Sequence, residues 1–179
     1  MAERITLAHV SDLHLPADDG AARSEARLFG RLRGMNRNLE RLLADPPLHT
    51  ADLVLVTGDV TDTGEAAAWE RFWRSLSAAG LAGRTAVLPG NHDVCCLGVH
   101  RTRPRAEDWA RMRAGLALGG HESAFPWIRR LGEGVALFAV DSTNAGNTSG
   151  LDNARGRIGR EQLVELGRAL ALYADIAHK

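Results

Sequence analysis

Leu88-Pro89-Gly90-Asn91-His92-Asp93 closes a short apolar run and sets an amide, an imidazole and a carboxylate side by side. Two other stretches repeat the arrangement. Ser11-Asp12-Leu13-His14 follows the apolar run from Ile5 to Val10, and Thr57-Gly58-Asp59 follows Leu53-Val54-Leu55-Val56. Each cluster stands where a short, bounded apolar run, read as a strand, comes to its end. Between the first two runs, Leu28, Leu32, Met35, Leu39 and Leu42 recur at steps of four and three. That is one face of a helix from Glu25 to Leu43, stopped by Asp45-Pro46-Pro47. Between the second run and the strand Thr85 to Leu88, Trp69, Phe72, Trp73 and Leu76 share a helical face. Strands alternating with helices imply an α/β fold, a mainly parallel sheet with flanking helices. Such sheets bind ligands beyond the carboxyl ends of their strands, so clusters far apart in the chain can converge.

Further along, a helix is expected around Trp109 to Leu118, after the basic stretch His100-Arg101-Thr102-Arg103-Pro104-Arg105. Val135 to Val140 reads as a fourth strand ending in Asp141-Ser142-Thr143, with a Gly- and Asn-rich loop from Asn144 to Arg155 behind it. A last helix begins at about Gly159, with Leu163, Leu166, Leu170 and Tyr173 along one side.

Composition excludes several classes of function. The 22 acidic and 22 basic residues cancel, which gives no general signal for nucleic acid or an anionic membrane. No run approaches the ~18 apolar residues of a membrane span, and the start is too short for a signal-peptide core. Cys95 and Cys96 are adjacent, which suits neither a disulfide framework nor a zinc knuckle. A cytoplasmic protein is expected, with residues 1–179 forming a single domain. Arg23, Arg27 and Arg31 step by four and read as a solvated helix face, with contact to an anionic substrate as the alternative.

The clusters carry metal and proton chemistry. Asp12 and His14 are two residues apart, so in extended backbone both side chains point one way while Leu13 points into the fold. A carboxylate and an imidazole together suit a borderline or hard divalent cation. Asp59 follows a glycine, where the backbone can approach closely, and its two oxygens can bridge two cations; the plainer reading of Asp59 is a helix cap. Asn91 offers a neutral oxygen ligand. His92 can give a proton to a departing oxygen, and Asp93 can fix the His92 tautomer; His92 alone would read as a core or capping histidine. Asp62, three residues before Glu65, reads as the cap of the following helix, with a neighbour of the site as the functional alternative. His9, His49 and His100 have no suitable context and read as structural or surface residues.

Asp12-x-His14, Gly58-Asp59 and Gly90-Asn91-His92-Asp93, in this order, resemble the calcineurin-like metallophosphoesterase superfamily. Gly58-Asp59-Val60-Thr61-Asp62, Asp141-Ser142-Thr143 and Gly156-Arg157-Ile158 resemble its cyclic-nucleotide phosphodiesterase-like branch. The resemblance implies the N-terminal part of a four-layer α/β/β/α sandwich and hydrolysis of phosphate esters, most readily phosphodiesters. The substrate would be a small phosphate ester such as a nucleotide. By the resemblance Asp12, His14 and Asp59 hold one metal, and Asp59 and Asn91 the other. Asn91 and His92 meet the substrate, and His92 with Asp93 serves the leaving group. Two cations, Mn, Fe or Zn, would clamp the phosphate and activate a metal-bound water as nucleophile. The family's later His and G-H-x-H motifs have no match after Asp141, where the one histidine is His178. The expectation is therefore a C-terminally incomplete domain of low activity, with a weakly held second metal and an uncovered apolar surface. A catalytically inactive scaffold that binds a protein partner is the alternative.

Overall fold

Leu53-Val54-Leu55-Val56-Thr57 is apolar and rich in β-branched residues, as a strand covered on both faces must be. In the computed structural model, which describes residues 4–22, 24, 33–94, 104–121, 124–143 and 155–176, this run is the central strand of a three-stranded parallel sheet. β1 (Leu7–Val10), β2 (Leu53–Thr57) and β3 (Thr85–Leu88) lie in the order β1-β2-β3. The register pairs Val10 with Val56 and Thr57 with Leu88. All three carboxyl ends are therefore level at one edge, and the three polar clusters leave from it.

The first crossover contains α1 (Met35–Leu43) and α2 (Pro46–Thr50), and the second contains α3 (Ala66–Ala78). Pro46 and Pro47 do end α1, but they then open α2, since a first-turn proline lacks only an N–H that has no helical partner. α1 begins at Met35, after Gly34 at φ 79°; the helix expected from Glu25 otherwise falls mainly outside the described residues, as do Arg23, Arg27 and Arg31. In α3 the buried residues are Ala68, Trp69, Phe72, Trp73 and Leu76, as the spacing requires. Trp73 donates its indole N–H to the Gly115 carbonyl at 2.7 Å and so ties α3 to α5 (Ala106–Ala117). α4 (Asn91–Val94) is the short helix that carries the central motif. Cys95, Cys96 and His100 lie outside the described residues.

Three expectations need correction. The apolar run Ile5 to Val10 reads as a buried strand, but among the described residues β1 pairs with β2 alone and Leu7 is 46% exposed. The fourth expected strand, β5 (Ala136–Ala139), does not extend the parallel sheet but pairs antiparallel with β4 (Trp127–Arg130). β4 is four residues ending in two arginines, too short and too polar to show alternation in the sequence. In α6 (Arg160–Leu172), Leu163 and Leu170 are exposed and Ala169 is the buried residue. That segment meets the β4–β5 ribbon at its end, where Tyr173 packs edge-on against Phe138. Gln162 adds a two-way amide bond to the Asp141 backbone.

Candidate metal centre

The loops that leave β1 and β2 run on side by side. His14 N–H donates to the Asp59 carbonyl at 2.8 Å, Leu15 N–H to Val60 at 2.9 Å, and Asp62 N–H to Leu15 at 3.0 Å. Asp12 N–H donates to Gly58, and Gly58 N–H to Leu88, which brings the third strand end into the same frame. Gly90 sits so close to this frame that an added Cβ would lie 2.2 Å from Asp59 Oδ1 and 2.3 Å from Asp59 N. The glycine of the central motif is thus required by the carboxylate of the second one.

Within the frame, Asp12, His14 and Asp59 have φ of 57°, 46° and 51°, and among the described residues they are the non-glycine residues at positive φ. The left-handed region costs an L-residue ~1–2 kcal/mol and tends to be kept where function needs the geometry. The extended backbone expected at Asp12 and His14 is therefore corrected. Both residues turn, and Leu13 still packs into the core.

His14 Nε2 lies 3.8 Å from Asp12 Oδ1 and 3.8 Å from Asp59 Oδ2. The His92 ring meets the His14 ring edge-on, with centroids 4.5 Å apart. Ligand atoms of His14, Asp59 and His92 all lie within 4.8 Å of one another. His14 and His92 are buried, Asp59 is nearly so, and the Asp12 side chain is 68% exposed at the rim. Asn91 opens α4, half-buried, between Gly90 and His92, both of which touch Asp59; His92 N–H donates to Asp59 Oδ1 at 2.9 Å. A carboxylate and imidazole donor set of this spacing fits a borderline or hard divalent cation.

Two acids behave otherwise than expected. Asp62 does not cap α3, whose N-cap is Glu65; it folds back onto the site instead. Its Oδ1 lies 3.3 Å from His14 Nδ1, and its carbonyl accepts from His92 Nδ1 at 3.0 Å. One residue thus holds the inner nitrogen of both histidines and leaves each Nε2 as the outer one. Burial pushes the Asp62 carboxyl up, but the bonds from His14 and Ser24, with the His14 charge, outweigh it and hold the group below the ordinary carboxylate value. The available signal was the second acid of Gly58-Asp59-Val60-Thr61-Asp62.

Asp93, expected to fix the His92 tautomer and serve the leaving group, is fully buried. Its carboxylate accepts from Val60 N–H, Thr61 N–H, Thr61 Oγ and Gly90 N–H at 2.8–3.2 Å. Its lone pairs are taken up in joining the second and third loops. Burial, helped by the Asp59 charge, pushes it up to about 6 against the lowering effect of the Gly90 and Thr61 bonds. Outside the centre, His9 Nε2 is 2.6 Å from Thr57 Oγ, His49 Nε2 is 2.7 Å from the Leu43 carbonyl, and His121 stacks on Trp73.

A parallel sheet whose level strand ends gather Asp12, His14, Asp59 and His92 is the framework of a metallophosphoesterase domain. Residues 5–166 match the family model of the calcineurin-like phosphoesterases, and the chain belongs to that family. Among curated proteins it is similar to the 3',5'-cyclic adenosine monophosphate phosphodiesterase CpdA of Pseudomonas aeruginosa, 38% identical over 91 residues, covering 50% of this chain and 30% of that protein. It is also similar to the 3',5'-cyclic-nucleotide phosphodiesterase alr5338 of Nostoc sp., 29% identical over 97 residues, 54% of this chain and 34% of the relative. The matched stretch spans about a third of the length of these relatives. Among the described residues, no helix is long and apolar enough to cross a membrane.

Proposed function

We propose that the chain is a metal-dependent phosphoesterase that acts on phosphodiesters, with cyclic nucleotides as the substrate class. The observation that supports this best is the convergence of Asp12, His14 and Asp59, three left-handed residues on two loops, onto the buried His92 of a third. In this reading Asp12, His14 and Asp59 hold one cation, and Asp59 and Asn91 a second, with Mn, Fe and Zn all compatible with an N and O donor set. When bound, such a pair supplies positive charge against the phosphate oxygens and a water acidified enough to attack at neutral pH.

The chain's own residues do the rest. Asp62 keeps the Nδ1 proton of His92 pointed at its backbone carbonyl, so the second proton of the imidazolium sits at Nε2. From there it is given to the departing ester oxygen, a contribution of ~10² to 10⁴ in rate. Asn91 meets the phosphate from the start of α4. Asp93 holds the loop that carries both, without touching the reaction. Phosphodiesterase-named relatives support the choice of diester over monoester.

The test is turnover of bis(4-nitrophenyl) phosphate and 3',5'-cyclic AMP by the Mn²⁺-loaded protein, with and without chelator. Chelator-sensitive hydrolysis is expected. Tight Mn²⁺ binding with no turnover of either diester would instead identify a binding scaffold built on the same frame.

A further inference from the structure

Asp62 is 3% exposed, and a buried carboxylate must find donors for its charge. Besides His14, it is met by Ser24, which donates its backbone N–H to Oδ2 at 2.6 Å and its hydroxyl to Oδ1 at 3.1 Å. Ser24 therefore grips both oxygens of one carboxylate. A two-point grip fixes rotation of the carboxylate about its last bond, and the oxygen it presents to His14 is the one that also receives the Ser24 hydroxyl.

We propose that Ser24 is a positioning residue for the metal ligand His14, acting through Asp62; the proposal rests on the metal reading given above. With Oδ1 fixed opposite Nδ1, the proton of neutral His14 belongs on Nδ1. The Nε2 lone pair then faces Asp12 and Asp59, each 3.8 Å away. A carboxylate behind an imidazole sets its tautomer and ring orientation and raises its basicity as a ligand. Ser24 lies in the segment that leaves the first cluster, so the chain that supplies His14 returns to brace it from behind. The grip does not touch substrate or metal. It acts by keeping His14 in the one tautomer that can bind.

The experiment compares the parent with Ser24→Ala, which keeps the backbone N–H and loses the hydroxyl, and with Ser24→Thr, which keeps both. Long-range ¹H–¹⁵N spectra of the metal-free protein read the His14 tautomer, and a Mn²⁺ titration reads affinity. Expected are an Nδ1–H tautomer in the parent, a mixture of tautomers in S24A, and Mn²⁺ binding about 10-fold weaker, at the low end of what removing such a supporting group costs. S24T should restore both. Should S24A fail to fold, Ser24→Gly is read in the same way. An S24A protein that matches the parent in tautomer and in Mn²⁺ affinity overturns the proposal alone, as does equal weakening in S24A and S24T. A parent that binds no Mn²⁺ overturns the metal reading and this proposal with it.

Discussion

Gly90→Ala should damage the site without replacing any of its polar side chains. The new methyl would stand 2.3 Å from Asp59 N and 2.2 Å from its Oδ1, about 1 Å inside ordinary contact at 3.4 Å. Asp59 has little room to retreat, because its carbonyl receives His14 N–H at 2.8 Å and its carboxylate receives His92 N–H at 2.9 Å. Relief therefore costs ~1–3 kcal/mol of overpacking, and the bond to His92, made to a charged acceptor, adds ~1.5 kcal/mol where it breaks. A loss of about 3 kcal/mol lowers the melting temperature of a chain this size by ~6–12 °C. The assay is thermal unfolding of the metal-free protein beside a Mn²⁺ titration. Gly83→Ala serves as control, since nothing lies within 4 Å of its added Cβ. If G90A melted within about 1 °C of the parent and bound Mn²⁺ equally well, the close approach of the two loops would be wrong.

Other outcomes follow from the same geometry. Mn²⁺ at 100 times its dissociation constant should stabilise the protein by ~2.7 kcal/mol, seen as a melting temperature that rises with Mn²⁺ and falls back with chelator. His92→Ala should slow diesters with poor leaving groups by ~10² or more and activated aryl diesters much less, which paired kcat/KM measurements would show; equal slowing would make His92 a phosphate-binding group. Burial, helped by the Arg129 charge, holds His121 below the ordinary imidazole value of 6.5. Unfolding therefore takes up a proton below that pH, and the stabilisation from His121 is full above about 6.5 and is lost as pH falls toward the folded value. His121→Gln should flatten the fall in melting temperature between about pH 7.5 and 5.5, and an unchanged slope would remove this role.

The three strands of the parallel sheet and the helix α3 were legible because their signals are local. β2 is a bounded apolar run, and the Trp69 to Leu76 face repeats at helical spacing. The three polar clusters at the strand ends were legible because each follows such a run. What the sequence hid depends on partners distant in the chain. The spacing of Asp62 and Glu65 fits a cap as well as a brace, and the bonds of the Asp62 carboxylate to His14 and Ser24, residues distant in the chain, decide which. Asp93 stands beside His92 in sequence but turns to Thr61 and Gly90 in space. The left-handed turns at Asp12 and His14 leave no mark in a pattern that an extended strand end would equally produce. β4 was invisible because it is defined by its antiparallel partner and not by its own residues.

The buried Asp93 carboxylate, joined to amides on both the second and the third loop, sets a condition on transplanting this centre into another protein. Copying Asp12, His14, Asp59 and His92 onto the strand ends of an unrelated parallel sheet would move the side chains but not the stitch that holds the second and third loops. Without Asp93 below them, and without glycines at positions 58 and 90, the second and third recipient loops would lose the bonds and the close approach that set Asp59 beside His92. The smallest portable unit is therefore a set of three loops with an acid at its core.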